Sequence, residues 1–137
     1  SGRPVSVLMM DLDHFKMVND NLGHRAGDTA LVSFADQVRR HLDDKHLFAR
    51  LGGEEFVVLM AGVDLEGATE TAEMIRRAQA ENSSAVLGEF GPTVSIGVAC
   101  SPHGDADLTQ LVDCADEALY RAKKLDRNRT VALTVGS

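Results

Sequence analysis

No run of apolar residues approaches the ~20 that an α-helical membrane span needs, and no basic-then-apolar leader pattern opens the chain. Cysteine is scarce. Cys100 and Cys114 are the only two in 137 residues, which excludes a disulfide framework and fits a reducing cytoplasm. The C-x-x-H spacing of Cys100 and His103, with Cys114 further on, leaves a small metal site as an alternative. Basic residues are outnumbered, 14 Lys and Arg against 21 Asp and Glu, for a net charge of −7. With no basic stripe, the chain is a poor match for a nucleic acid backbone. A polyanionic ligand would need a divalent cation to offset the repulsion. There is no internal repeat, linker or low-complexity stretch. The remaining composition, 44% hydrophobic and 26% charged, fits one soluble globular domain over residues 1–137 with a single core.

The order of elements follows from periodicity. Val5 to Met10 is a short apolar run, a buried strand that stops at Asp11. "LDHFKMVNDNLGHRAGD" reads as a loop with about one helical turn. From Asp28, the recurrence of Leu31, Phe34, Ala35, Val38 and Leu42 predicts an amphipathic helix. "HLFARL" and "FVVLMA" flank Gly52–Glu55 as a β-hairpin with a glycine-bearing turn. A second helix follows, N-capped by Asp64, with Leu65, Ala68, Ala72, Ile75 and Ala78 on one face. "NSSAVLGEFG" is expected to be a loop or irregular strand, and "TVSIGVAC" a strand covered on both faces. Leu108, Leu111, Val112, Ala115, Leu119 and Ala122 define a third helix, with Arg121, Lys123 and Lys124 late, where the helix dipole favours cations. "RTVALTV" closes the chain as a strand. The resulting β-α-β-β-α-β-α-β order implies an α+β fold. Its mixed, mostly antiparallel central sheet is flanked by helices.

Two places carry carboxylates where chemistry needs them. Alternation turns Asp11 and Asp13 to one side at the end of the first strand. The hairpin turn adds Glu54 and Glu55. If hairpin and strand are neighbours, up to four carboxylates converge, a cluster that calls for a cation. Oxygen donors of this kind suit Mg²⁺ or Mn²⁺ with substrate phosphates, and such ions activate an attacking oxygen and stabilise a leaving one. Lys16, Lys123 and Arg127 are the nearby cations, each equally readable as a solvated surface charge. Asn19 and Asp28 have the amide and carboxylate that match a guanine edge. As plain structural residues they would be a turn residue and a helix N-cap.

Four blocks, "MMDLDHFKMVNDNLGHRAGDTAL", "ARLGGEEF", "VSIGVA" and "ADEALYRAKKLDRNRT", resemble in order and spacing the GGDEF domain of diguanylate cyclases. The resemblance runs from Val5 to Val131 and implies a fold like the palm of nucleotide cyclases and polymerases. It implies condensation of two GTP into cyclic di-GMP with release of two pyrophosphates, across an antiparallel homodimer. By the same resemblance Asp11 and Glu54, with the Leu12 carbonyl, would hold Mg²⁺ or Mn²⁺, and Glu55 would sit beside the attacking hydroxyl. His14, Phe15 and Lys16 would lie along the phosphates, the first two through backbone N–H, and Lys123 and Arg127 would take the terminal phosphates. Asn19 and Asp28 would read guanine, Asp28 matching the members that use GTP only. Gly52 and Gly53 would let the turn backbone approach the nucleotide. His24, Asp13 and Asp20 would be structural.

Three departures from the family pattern carry consequences. Asp43 and His46 stand where many members have an Arg-x-x-Asp motif that binds product and inhibits. An acidic residue there would repel product phosphates, so inhibition through that site is expected to be absent. The usual Asp-x-Leu-Thr-x-Leu-x-Asn-Arg segment and its helix do not precede "SGRP". That is the expectation for a fragment of a longer protein with an upstream sensor or regulatory domain, itself free of membrane contact. Asp126 replaces the glycine before the final Arg-Asn; Asp tolerates left-handed geometry, but its charge sits beside Arg127. Two other readings stand beside the cyclase: a non-catalytic GTP-binding regulatory module, and a palm-like domain used only for dimerisation.

Overall fold

The structure is a computed structural model in which residues 2–136 are described. They run β1 (Val5–Leu12), α1 (Phe15–Leu22), α2 (His24–Arg40), β2 (Leu47–Gly52), β3 (Glu55–Ala61), α3 (Leu65–Leu87), a 3₁₀ turn (Gly88–Phe90), β4 (Val94–Ser101), α4 (Leu108–Lys124) and β5 (Thr130–Thr134). The strands form one sheet in the order β2-β3-β1-β4-β5. β1 pairs antiparallel with β3 and β4, β2 pairs antiparallel with β3, and β5 pairs parallel with β4. This is the mixed, mostly antiparallel α+β arrangement expected from the sequence.

The pleat of β1 divides the core. Leu8, Met10 and Leu12 face one side, where they pack with Phe34 and Val38 of α2 and Ile75 of α3. Val7 and Met9 face the other, where Leu111, Ala115 and Leu119 of α4 cover them. Residues paired across strands share a face. The row Met9↔Gly97 and the row Glu55↔Asp11↔Ser95 therefore lie on the α4 side. A Cβ on Gly97 would sit 2.3 Å from both the Ala115 carbonyl oxygen and the Leu119 nitrogen. Helix α4 thus rests directly on the backbone of β4. One turn beyond Leu119 comes Lys123. Four helical residues rise about 6 Å and two strand residues about 6.8 Å, so this contact delivers Lys123 to the Asp11 row.

Several elements differ from the periodicity reading. Residues 15–22 form a full helix where a loop with about one helical turn was expected, because Phe15 and Val18 are buried against the core. Helix α2 begins at His24, so Asp28 lies in its second turn and is not its N-cap, and Asn19 lies inside α1 rather than in a turn. Helix α3 continues through the expected loop to Leu87. Its polar side chains find tertiary partners: Gln79 and Ser83 donate to the Pro92 carbonyl at 2.8 and 2.9 Å, and Asn82 donates to Gln37 at 2.9 Å. Gly88, at φ 59°, ends the helix. Leu108 was expected on the buried face but is 59% exposed, since α4 meets the sheet only from Leu111 onward. Asp64 does cap α3, accepting from the Gly67 N–H at 2.9 Å.

Past α4 the backbone is left-handed at three consecutive non-glycine residues: Asp126 (φ 78°), Arg127 (φ 61°) and Asn128 (φ 45°). The Arg127 N–H returns to the Ala122 carbonyl at 3.0 Å, a Schellman closure in which glycine usually occupies the Asp126 position. Left-handed geometry costs an L-residue roughly 1–2 kcal/mol, less for Asp. Asp126→Gly is expected to stabilise the fold by up to about 1 kcal/mol, raising the thermal midpoint by a few degrees. A lower midpoint would show that the aspartate is compensated locally.

Candidate active site

The C-terminal end of β1 and the β2–β3 turn lie side by side. Asp11 is opposite Glu55 in the register, and the Leu12 N–H donates to the Glu54 carbonyl at 3.3 Å. Asp11, 8% exposed, accepts a hydrogen bond from Lys123 Nζ at 2.5 Å. Burial pushes the Asp11 carboxyl above its ordinary value, Lys123 pulls it down, and the charges of Glu54 and Asp13 push it up again. Asp11, Leu12, Glu54 and Lys123, from three segments of the chain, therefore meet at one edge of the sheet.

The turn is built for approach from outside. Gly52 (φ 144°) and Gly53 (φ 51°) have backbones that L side chains rarely adopt, and a Cβ on either would meet nothing within 4 Å. The space over the turn is open to a ligand. Arg50 Nε holds the turn from behind, donating to the Gly53 carbonyl at 2.8 Å.

Asp13 does not join the carboxylate group as a ligand. It points to the expected side, but Ser95 Oγ (2.6 Å), Thr93 Oγ1 (2.7 Å) and the Asn128 N–H (3.0 Å) all donate to it. It ties β1 to β4 and to the loop that carries Arg127. Among the described residues no three His, Cys, Asp or Glu side chains converge on a metal position. The convergence of four carboxylates is therefore not seen, while Asp11 and Glu54, close enough for the Glu54 charge to act on Asp11, are hard oxygen donors of the kind that suits a cation which keeps waters and takes phosphate oxygens. The same observation removes the alternative site of Cys100, His103 and Cys114. Cys100 is buried in β4, and burial pushes the Cys114 thiol above its ordinary value.

The remaining candidates flank this edge. Phe15 is buried at the start of α1, and His14 before it is exposed and left-handed at φ 54°. No side chain caps α1; the Met17 N–H turns back to the His14 carbonyl at 2.9 Å, and the N–H groups of His14 and Phe15 stand ahead of it at the helix start. The Lys16 side chain is 89% exposed, 3.8 Å from Asp20. Asn19 lies against α2 at Gly27, where an added Cβ would fall 1.9 Å from Asn19 Oδ1. The bare Gly27 backbone therefore seats Asn19 beside the position that carries Asp28, a role that sequence spacing did not reveal. Asp116 of α4 also went unnoticed. Burial raises its pKa and Glu55 adds to the rise, so it stands near Glu55 on the α4 face. Asp43 and His46 occupy each other, with His46 Nε2 3.7 Å from Asp43 Oδ1 and the Asp43 carboxylate largely exposed.

Comparison with known proteins settles the family. A model described as diguanylate cyclase, GGDEF domain, matches residues 1–129. The chain belongs to the GGDEF domain family. A diguanylate cyclase of Vibrio cholerae is 36% identical to this GGDEF domain over 127 residues, 93% of this chain and 39% of the relative. The active GGEEF domain of a diguanylate cyclase from Vibrio cholerae matches it in structure with a TM-score of 0.87 and 35% identity, covering 95% of this chain and 83% of that one. The GGDEF domain of DgcB from Caulobacter crescentus, in complex with c-di-GMP, matches with a TM-score of 0.86 and 30% identity, over 96% and 78% of the two chains. The GGDEF domain therefore spans well under half the length of its curated relative. No helix among its described residues is long and apolar enough to cross a membrane.

Proposed function

We propose that this GGDEF domain condenses two GTP molecules into cyclic di-GMP, releasing two pyrophosphates, with each subunit of a homodimer presenting one GTP. The observation that carries this reading is the meeting of Asp11, Glu54 and Lys123 beside a glycine turn with open space above it. Asp11, Glu54 and the Leu12 carbonyl would hold Mg²⁺ or Mn²⁺, which when bound offsets the phosphate charge and polarises the reacting phosphate. The backbone N–H groups of His14 and Phe15 and the Lys16 ammonium would lie along the phosphates, while Lys123 and Arg127 take the terminal ones. Asn19 and Asp28 read the guanine edge. Glu55, on the same face as Asp11, would stand beside the 3′-hydroxyl that attacks the α-phosphate of the partner's GTP; the new O–P bond forms as the bond to pyrophosphate breaks, and the hydroxyl proton passes to water. Asp43 and His46 offer no arginine to product, so the reading includes no feedback through that surface. A controlling region in the same polypeptide, in a cytoplasmic setting, completes the proposal.

Incubation with GTP and Mg²⁺, with the domain held as a dimer, is expected to yield cyclic di-GMP and pyrophosphate in a 1:2 ratio. GTP binding without product would replace the cyclase by a regulatory module. Failure to bind GTP would leave only a dimerisation role.

A further inference from the structure

Three consecutive left-handed residues do not persist unless their surroundings over-determine them. Two side chains grip the Asp126–Asn128 loop. Asp13 accepts the Asn128 N–H at 3.0 Å from one side. From the other, Arg76 of α3 reaches Asn128 twice through Nη1, at 3.1 Å to Oδ1 and 3.5 Å to the carbonyl oxygen. Arg76 is itself held in a fork: its Nε donates to Glu73 Oε2 at 2.7 Å and its Nη2 to Glu73 Oε1 at 3.0 Å. That bidentate contact holds the Glu73 carboxyl down to about 2, against the opposing effect of burial, and raises Arg76 in turn. The pair stays charged through the physiological range. Bidentate guanidinium–carboxylate pairs combine direction with strength, and a lysine at position 76 could not reproduce the fork.

We infer that Arg76, locked by Glu73, is a positioning residue that holds the left-handed Asp126–Asn128 loop and so aims Arg127 at the terminal phosphates of the nucleotide. The inference rests on the proposed role of Arg127. It explains why a loop strained at every residue follows a helix whose last turn already supplies Lys123. In this reading neither Arg76 nor Glu73 touches the nucleotide, and both act through the loop that carries Arg127.

The test separates phosphate aiming from general damage. Equilibrium binding of GTP and of GMP, both with Mg²⁺, is compared for the unchanged chain, Arg127→Ala, Arg76→Met and Glu73→Gln. Arg127→Ala is expected to lower GTP affinity about tenfold and leave GMP within about twofold, as loss of a charge-assisted phosphate contact requires. Arg76→Met is expected to lower the GTP-to-GMP affinity ratio in the same direction by about fivefold, and Glu73→Gln by about twofold. A collapse of the ratio in Arg127→Ala, with no change in Arg76→Met and Glu73→Gln, overturns the inference and leaves the Arg127 role standing. Parallel losses of GTP and GMP in Arg76→Met also overturn it, since they mark a merely structural role. An unchanged ratio in Arg127→Ala sinks the reading of Arg127 itself. Should Arg76→Met fail to fold, Glu73→Gln, which keeps the side-chain shape, decides.

Discussion

Glu54→Gln is expected to abolish turnover and metal binding while leaving the fold intact. The substitution keeps volume and shape and removes one negative charge from a proposed metal site whose oxygen set is already minimal, Asp11 and Glu54 with a backbone carbonyl. Loss of outer partners of a metal site alone costs 10–100-fold in affinity or activity, so loss of a direct carboxylate should lower activity by at least about 100-fold. The fold has no stake in this carboxylate. The turn conformation belongs to Gly52 and Gly53, the Leu12 N–H is received by the Glu54 backbone oxygen, and Arg50 braces the Gly53 carbonyl. Titration with Mn²⁺, cyclic di-GMP formation and a thermal melt on the same preparation check all three parts. Unchanged activity would remove Glu54 from the site, and a collapsed melting transition would make the residue structural.

The second large effect is on the fold. Gly97→Ala would drive a methyl group to 2.3 Å from two backbone atoms of α4 and 2.8 Å from the Leu119 Cα. Backbone has no rotamer to yield, so helix and sheet must separate. Overpacking typically costs 1–3 kcal/mol and occasionally more. With every clashing atom in the main chain, about 3 kcal/mol or above is expected, equivalent to a drop of roughly 10 °C in the thermal midpoint. Activity should fall beyond what stability accounts for, because the same displacement lifts Lys123 from Asp11. A midpoint unchanged within about 2 °C would mean that α4 does not bear on β4 as described.

What could be read from the sequence, and what could not, divides along a physical line. Strands β1, β3 and β4 announce themselves as apolar runs, the hairpin by its glycines, and α3 and α4 by helical spacing and by the Asp64 cap. In each case the signal lies within about fifteen consecutive residues. Asp11, Glu54 and Lys123 were nameable because a strand end, a turn and a last helical turn are local features, and a family pattern linked them. Helix α1 was hidden because eight residues, with Asn and Asp among them, are too short to hold a helix on their own and gain it from packing. The end of α3 was hidden because its Asn, Ser and Gln residues are satisfied by Gln37 and Pro92, 9 to 45 positions away. Gly27, Arg76 and Asp116 act through neighbours in space on other segments, and no spacing rule marks them. Asp13, expected from the resemblance to be structural, is so through partners that the sequence does not show. Alternation gave its side correctly but could not reveal the hydroxyls of Thr93 and Ser95 waiting there.

The contacts that assemble this edge join segments far apart along the chain. Lys123 reaches Asp11 across 112 positions, and Asn128 reaches Asp13 across 115. Contacts of such separation must meet the loop-closure cost before they contribute anything. As the domain folds, β1 can pair with the hairpin and seat α2 and α3 before α4 docks, but the candidate edge needs Lys123 of α4 and the Asn128 loop brought back to β1. The site is therefore expected to be among the last parts of the domain to become organised.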